Sequence, residues 1–175
     1  MPKMGAWFEG QYRYHAWRVL NREAQLPNRV LFVLYRPQGD PTTDPTLNAC
    51  WALARRWDFD SAEVCCLYAR CAPSAEMLHA CADPVGPKNE AALFRALRRA
   101  DAVVVAWGST GHETALAQRL LHNIPDGVRL YRVYSETEGV PGDVEAVGTK
   151  ARLKSMLPPA PAEPADVHQS AALSL

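Results

Sequence analysis

The feature that most constrains the fold of this chain is the alternation of short apolar segments with amphipathic ones. Three apolar segments, at 30–34, 63–68 and 101–107, have the length and composition of strands covered by protein on both faces, and a fourth, weaker one lies at 128–134. Parallel strands need crossover connections, which helices supply on both faces of a sheet. The alternation therefore predicts a three-layer α/β/α fold with a mostly parallel four-stranded central sheet.

The segments between these strands carry helix signals. Asp44 and Pro45 provide an N-cap and a first-turn proline, after which apolar residues recur at helical spacing to about Trp57. A second helix is expected after Gly86-Pro87, and a third from near Thr110 to the turn at 125–127. The predicted order is β-α-β-α-β-α-β.

The two ends of the chain differ from this pattern. Residues 12–19 alternate polar and apolar side chains, as in a half-exposed strand, so we expect an N-terminal strand or hairpin flanking the sheet. From residue 158 onward repeated prolines remove amide donors and favour neither helix nor sheet. We therefore expect one α/β domain at 1–157 and a flexible Pro/Ala-rich tail at 158–175.

The net charge and the lengths of the apolar runs limit the partners that this chain can have. The 19 Lys and Arg residues balance the 19 Asp and Glu residues, so an anionic partner must be held by a local cluster of charges. The chain lacks an apolar run long enough to span a bilayer, and its N-terminus does not resemble a signal peptide. We expect a cytoplasmic protein without a membrane partner.

The five cysteines form no Cys-x-x-Cys pair, which favours buried thiols over a metal site or a disulfide framework. No cofactor-binding motif is present, so we expect no cofactor.

Ligands of open α/β sheets bind beyond the carboxyl ends of the strands, which here means the loops 35–46, 68–87 and 107–111. The first loop precedes a helix N-terminus that favours anions, and Arg36 adds a guanidinium suited to phosphate or carboxylate. The alternative is that Asp44 and Thr46 only cap the helix. The candidate ligand contacts in this loop are Arg36, Gln38 and Thr46.

The other two loops supply further candidates. Arg70 follows the second strand and Asn89 lies in the first turn of the next helix, so both are predicted to face the crevice, although Arg70 could instead pair with Asp83. Trp107 could stack on a base or sugar, and Gly108 would let the backbone approach a ligand; the alternative is a core tryptophan. Acidic residues after the fourth strand disfavour a phosphate backbone there; they are Glu136, Glu138, Asp143 and Glu145.

The order of motifs over residues 12–150 resembles a family of bacterial and phage proteins known as domain of unknown function 1643. The matching segments are Tyr12-Arg13-Tyr14 with Trp17-Arg18, Asp44-Pro45-Thr46-Leu47, Ala54-Arg55-Arg56-Trp57, Leu67-Tyr68-Ala69-Arg70, Asp83-Pro84-Val85-Gly86-Pro87-Lys88-Asn89 and Ala106-Trp107-Gly108. The chain departs from the family pattern at three places. It has Arg36-Pro37-Gln38 in place of Asn-Pro-Ser, Cys66-Leu67 in place of Asn-Leu, and no histidine in 139–143, where the family carries a His-Pro pair.

The family pattern is similar, at the level of its strand-end motifs, to the uracil-DNA glycosylase superfamily. In that superfamily a polar loop after the first strand, a Trp-Gly pair on the third and a late His-Pro-Ser surround a flipped base. The resemblance implies that loop 36–46 holds a sugar or base and that Trp107-Gly108 shape the pocket. The missing His-Pro pair implies that base excision is altered or lost.

These observations lead to one main functional hypothesis and two alternatives. We expect the crevice to bind a nucleotide, or an exposed nucleobase of single-stranded or base-flipped nucleic acid, with degenerate or altered catalytic motifs, and whether the protein is an enzyme stays open. The first alternative is a non-enzymatic protein-interaction module with an apolar patch at Trp7, Phe8 and Trp17. The second is a hydrolase or glycosylase that uses Asp40 as its general base. The sequence does not predict the oligomeric state.

Overall fold

A seven-stranded mixed sheet forms the centre of the molecule. The computed structural model describes residues 3–160, so most of the predicted tail, from residue 161, lies outside the described residues. The strands are β1 (Met4–Glu9), β2 (Tyr12–Val19), β3 (Arg29–Leu34), β4 (Ser61–Cys66), β5 (Ala102–Ala106), β6 (Arg129–Val133) and β7 (Leu153–Ser155). Across the sheet they lie in the order β1-β2-β4-β3-β5-β6-β7.

The α/β class is confirmed, whereas the predicted sheet of four strands with one flanking element is wrong in detail. The four apolar segments form β4, β3, β5 and β6, which pair in parallel. The hairpin β1–β2 extends the sheet antiparallel beside β4, and β7 extends it antiparallel beside β6. Strand β7 is only three residues long, and without an apolar run it gives no signal of its own.

Helices cover both faces of the sheet. They are α1 (Pro45–Arg56), α2 (Ala75–His79), α3 (Asn89–Arg99), α4 (Gly108–His112), α5 (Ala115–His122) and α6 (Val144–Val147), which is followed by a 3-10 turn at Gly148–Lys150. Alternate residues of β3 point to opposite faces. Phe32 packs with α1 on one face, and Leu31 and Val33 pack with α3 and α5 on the other.

Two helices differ from the sequence prediction. The third predicted helix is divided into α4 and α5, because Thr114 caps α5 by accepting a hydrogen bond from the amide of Ala117 at 3.2 Å. Within the loop 68–87, Ser74 caps α2, a short helix that the sequence analysis did not anticipate. None of the described helices is long and apolar enough to cross a membrane.

A bulge in the edge hairpin determines which side chains reach each face. Trp7 pairs with His15 and Phe8 with Arg13, so Tyr14 has no partner on β1. This extra residue turns Arg13 towards α1, while Tyr14 packs with Ala69 and Ala92 on the α3 side.

Asp44 connects the hairpin, the loop after β3 and α1. Its Oδ1 accepts hydrogen bonds from the amides of Thr46 and Leu47, which confirms the predicted N-cap. Its Oδ2 accepts one from Arg13 Nη1 at 2.8 Å and one from the amide of Gln38 at 3.2 Å. Both members of the Arg13–Asp44 pair are almost fully buried.

We expect Asp44→Ser to lower the free energy of unfolding by about 3–5 kcal/mol, because it leaves the Arg13 guanidinium buried without its carboxylate. Serine retains a capping oxygen, so loss of the cap contributes little to this effect. Urea denaturation of Asp44→Ser, Arg13→Met and the double variant measures the coupling between the two residues. The double variant should lose much less stability than the sum of the single ones, and strictly additive losses would contradict the central role of the pair.

Candidate functional site

A cavity of about 580 Å³ lies beyond the carboxyl ends of β3, β5 and β6. Strand β4 pairs with one side of β3, and β5 pairs with its other side. The direction in which successive strands are added to the sheet therefore reverses between β3 and β5. Such a reversal opens a crevice in which open α/β sheets bind their ligands. The lining residues are Tyr35, Arg36, Ala75, His79, Trp107, Gly108, Ser109, Thr110, Ser135, Thr137, Val140, Pro141, Gly142, Asp143 and Glu145.

Arg36 lies at this cavity, but its guanidinium already has partners within the chain. Nη1 donates to the carbonyl of Ala72 at 2.8 Å, and Nη2 donates to Glu145 Oε1 at 2.9 Å. The arginine side chain is only 10% exposed. Arg36 thus connects the end of β3 to α6, and the Glu145 carboxylate compensates the positive charge predicted to attract an anion.

Asp143 is a lining residue that the sequence analysis did not select as a candidate. Its backbone forms an antiparallel bridge with Trp107, which brings it beside Gly108. Oδ1 accepts a hydrogen bond from the amide of Glu145 at 2.8 Å, and no donor within residues 3–160 forms a hydrogen bond with Oδ2. Partial burial, reinforced by the Glu145 carboxylate, raises the pKa of the Asp143 carboxyl above its usual value. In the sequence, Asp143 is recognisable only as an acidic residue before a short helix, and such a residue does not by itself indicate a functional site.

Trp107 and Gly108 both line the cavity. The Trp107 side chain is 1% exposed, and its Nε1 is buried without a hydrogen-bond partner among the described residues. Gly111 allows this packing, since a Cβ there would come within 2.7 Å of Trp107 Cβ. Trp107 is therefore a core tryptophan that also borders the cavity, and it does not present an open ring face.

An aromatic cluster borders the cavity on the side of α2. The hydroxyl of Tyr35 and Nε2 of His79 are 2.7 Å apart, and Tyr68 packs edge-on against both rings. Burial raises the pKa of Tyr35, so its hydroxyl stays protonated at neutral pH. The sequence does not predict Tyr35 or His79 as site residues, because the segment that forms α2 shows no helical pattern.

The lining of the cavity also includes Val140 and Pro141. They belong to the segment 139–143, which lacks the histidine that the resemblance leads one to expect. Ser135 Oγ fixes this segment by donating to the Val140 carbonyl at 2.6 Å. Arg36 borders the same cavity as this segment.

Three predicted residues of the first loop do not line the cavity. Thr46 is buried in the first turn of α1 and, like Gln38, donates its backbone amide to Asp44. Asp40 is exposed, and its Oδ1 accepts hydrogen bonds from the Thr42 hydroxyl and amide, which lower the pKa of the carboxyl. A low pKa and a place outside the cavity make Asp40 a poor general base.

The structure also places Arg70 and Asn89 away from the crevice. The Arg70 guanidinium lies 5.7 Å from the centre of the Tyr12 ring, and within the described residues it forms no ion pair with Asp83. Asn89 is fully buried, and its Nδ2 donates to the carbonyls of Cys66 and Leu67 at 2.9 and 3.0 Å. Its amide therefore holds the start of α3 to the end of β4.

No group of three or more His, Cys, Asp or Glu side chains in residues 3–160 is arranged to hold a metal ion. Cys50, Cys65 and Cys66 are buried, and burial raises the pKa of the Cys66 thiol to about 12. This thiol is therefore protonated and unreactive at neutral pH.

Comparison with known proteins returned one match. A family model described as "Protein of unknown function (DUF1643)" matches residues 13–137. The match begins at the second residue of β2, includes β3 to β6 and ends before the lining residues Val140 and Asp143. No curated protein and no solved structure matched the chain.

We expect Asp143 to remain protonated to higher pH than an ordinary aspartate, and Asp40 to ionise at lower pH, because burial favours the neutral acid and the Thr42 hydrogen bonds favour the carboxylate. Carboxyl carbon-13 NMR titration measures both values, with the signals assigned from Asp143→Asn and Asp40→Asn. A titration of Asp143 at or below that of Asp40 would contradict the assignment of Asp143 as the partly desolvated carboxyl of the crevice.

Proposed function

We propose that this chain, which belongs to the DUF1643 family, binds a nucleobase or nucleoside in the crevice between the carboxyl ends of β3 and β5. The observation that supports the proposal is the combination of the position, the size and the lining residues of the cavity. A cavity of about 580 Å³ at the reversal of strand order is bordered by aromatic rings, hydroxyl groups and the Asp143 carboxyl, whose Oδ2 accepts no hydrogen bond from residues 3–160. Small-ligand sites are commonly of this size and combine apolar walls with a few placed polar groups.

The charges of the lining favour the base over the phosphate of a nucleotide. Among residues 3–160, Arg36 supplies the single guanidinium that lines the cavity, and it is paired with Glu145. Asp143 adds a second acidic group. A phosphate placed there would face two carboxyl groups and would have to break the ion pair. A neutral ring with N–H donors can instead hydrogen-bond to Asp143 Oδ2 and to the hydroxyls of Ser109 and Thr110.

The resemblance to the uracil-DNA glycosylase superfamily supports a base as the recognised group. In that superfamily the corresponding strand-end loops surround a flipped base. Here those loops are represented by Arg36 after β3 and by Trp107-Gly108 after β5, and both border the cavity. A resemblance of strand-end motifs does not establish activity, so binding is the part of the resemblance that we extend to this chain.

Ser109→Trp should weaken the binding of bases and nucleosides by about tenfold or more, because Ser109 is an exposed lining residue and an indole there would occupy the cavity. Isothermal titration calorimetry with the common nucleobases, nucleosides and nucleoside monophosphates measures the effect. Asn48→Trp is the matched control, since Asn48 is exposed on α1 and does not line the cavity.

The proposal further requires that each nucleoside bind at least as tightly as its monophosphate. No binding of any base, nucleoside or nucleotide to the wild-type chain would overturn it. Equal losses of binding affinity in Ser109→Trp and Asn48→Trp would place the ligand outside the crevice.

A second candidate function, hydrolysis of an N-glycosidic bond, is favoured by Asp143 and no longer by Asp40. A carboxyl with a raised pKa and a free oxygen at a cavity can accept the proton of a water that attacks the sugar carbon while the base departs. The oxygen of the attacking water would then replace the base on the sugar, and the departing base would take up a proton.

We expect Asp143→Asn to reduce any release of free base by about 100-fold or more, because the amide cannot accept that proton. Chromatographic detection of bases released from nucleosides and single-stranded oligonucleotides measures the rate. Asp40→Asn is the matched control and should retain activity. If the wild-type chain releases no base, hydrolysis is excluded for these substrates, whereas the binding proposal is unaffected.

A further inference from the structure

A second concave surface lies against the edge hairpin, on the face of the sheet that carries α3. This groove, called the hairpin groove below, has a volume of about 350 Å³. Its lining residues are Trp7, His15, Trp17, Ala92, Arg95 and Arg99. It shares no lining residue with the crevice at the carboxyl ends of the strands.

The sheet register explains why aromatic side chains meet here. Trp7 lies opposite His15, and Gly5 lies opposite Trp17. A Cβ at Gly5 would overlap the Trp17 ring, so the glycine allows the indole to lie flat across the neighbouring strand. The rings of His15 and Trp17 stack at 5.4 Å. Both tryptophans remain partly exposed, because α3 borders this part of the sheet without covering it.

The groove keeps an excess of positive charge. Arg99 Nη2 and His15 Nε2 both bind Glu63 Oε2, at 2.8 and 2.9 Å, so one carboxylate compensates Arg99. Arg95 is exposed and forms no ion pair with any residue in 3–160. A guanidinium with free donors therefore stands beside two partly exposed indoles.

We propose that the hairpin groove binds single-stranded nucleic acid, with bases stacked on Trp7 and Trp17 and a backbone phosphate held by Arg95. Proteins that bind single strands without sequence preference combine aromatic stacking surfaces with positive charge along the backbone. The lining fits this partner better than it fits an apolar helix of another protein, because guanidinium groups occupy the wall where aliphatic contacts would be needed. This site is additional to the crevice and does not depend on the proposed base binding.

Fluorescence anisotropy of a 5′-labelled oligothymidylate of about twelve nucleotides tests the proposal. The full chain should bind the single strand more tightly than a duplex of the same length, and the affinity should fall as salt is raised. Arg95→Ala should weaken binding several-fold and reduce the slope of log affinity against log salt by about 0.7, the value for one phosphate contact on a single strand. Arg98→Ala is the matched control, because Arg98 is exposed on the same helix but does not line the groove.

Trp17→Leu tests the stacking contribution and should weaken binding about tenfold at every salt concentration, with little change in the salt slope. Circular dichroism verifies that this variant is folded, and Trp7→Leu provides a second test at the same surface. Asn48→Trp, which is exposed and lines neither the groove nor the crevice, should bind the oligonucleotide like the wild type.

Three results would overturn the proposal. They are absence of oligothymidylate binding by the wild-type chain at low salt, equal losses in Arg95→Ala and Arg98→Ala, and unchanged binding in both Trp17→Leu and Trp7→Leu. The second result would indicate a diffuse attraction to the basic helix. The third would place the strand on a surface other than the hairpin groove, and it would leave the proposed base binding intact.

Discussion

The buried ion pair between Arg13 and Asp44 is the interaction on which the geometry of the crevice depends. Asp44 uses both carboxylate oxygens, one to cap α1 and the other to hold Arg13 and the amide of Gln38. Arg13 also donates to the carbonyl of Gly39 at 3.0 Å. The loop after β3 is thereby attached at two points to the edge hairpin and to α1. Arg36 lies shortly before the attached residues Gln38 and Gly39. The Arg13–Asp44 pair therefore holds in place the side of the crevice that Arg36 forms.

The parts of the fold that local chemistry determines were predictable from the sequence. Asp44-Pro45 marks a helix start because a cap is formed within a few residues. The apolar runs of β3 and β5 mark central strands because both of their faces are buried. Strand β7 has no such signature, since a short edge strand is defined by its pairing with β6 and not by its composition.

The general position of the candidate crevice could be predicted from the sequence, whereas most of the side chains that line it could not. Of the three loops predicted to border a crevice, those after β3 and β5 place Arg36 and Trp107 at the cavity, whereas Arg70 in the loop after β4 lies away from it. The direction of a side chain, however, depends on what packs around it. Asn89 turns inward to satisfy two carbonyls at the end of β4. Asp143 reaches the crevice through a backbone bridge to Trp107, a partner distant in sequence. No spacing rule in a single sequence contains that information.

The bulge in β2 connects the two proposed binding surfaces. In a regular strand Arg13 and His15 would point to the same face, because side chains alternate with a period of two. The unpaired Tyr14 breaks this alternation. Arg13 consequently reaches Asp44 beside the crevice loop, whereas His15 faces Glu63 and the hairpin groove on the opposite side of the sheet. Without this one extra residue, Arg13 and His15 would point to the same face. Either Arg13 could not bind Asp44, or His15 could not line the hairpin groove.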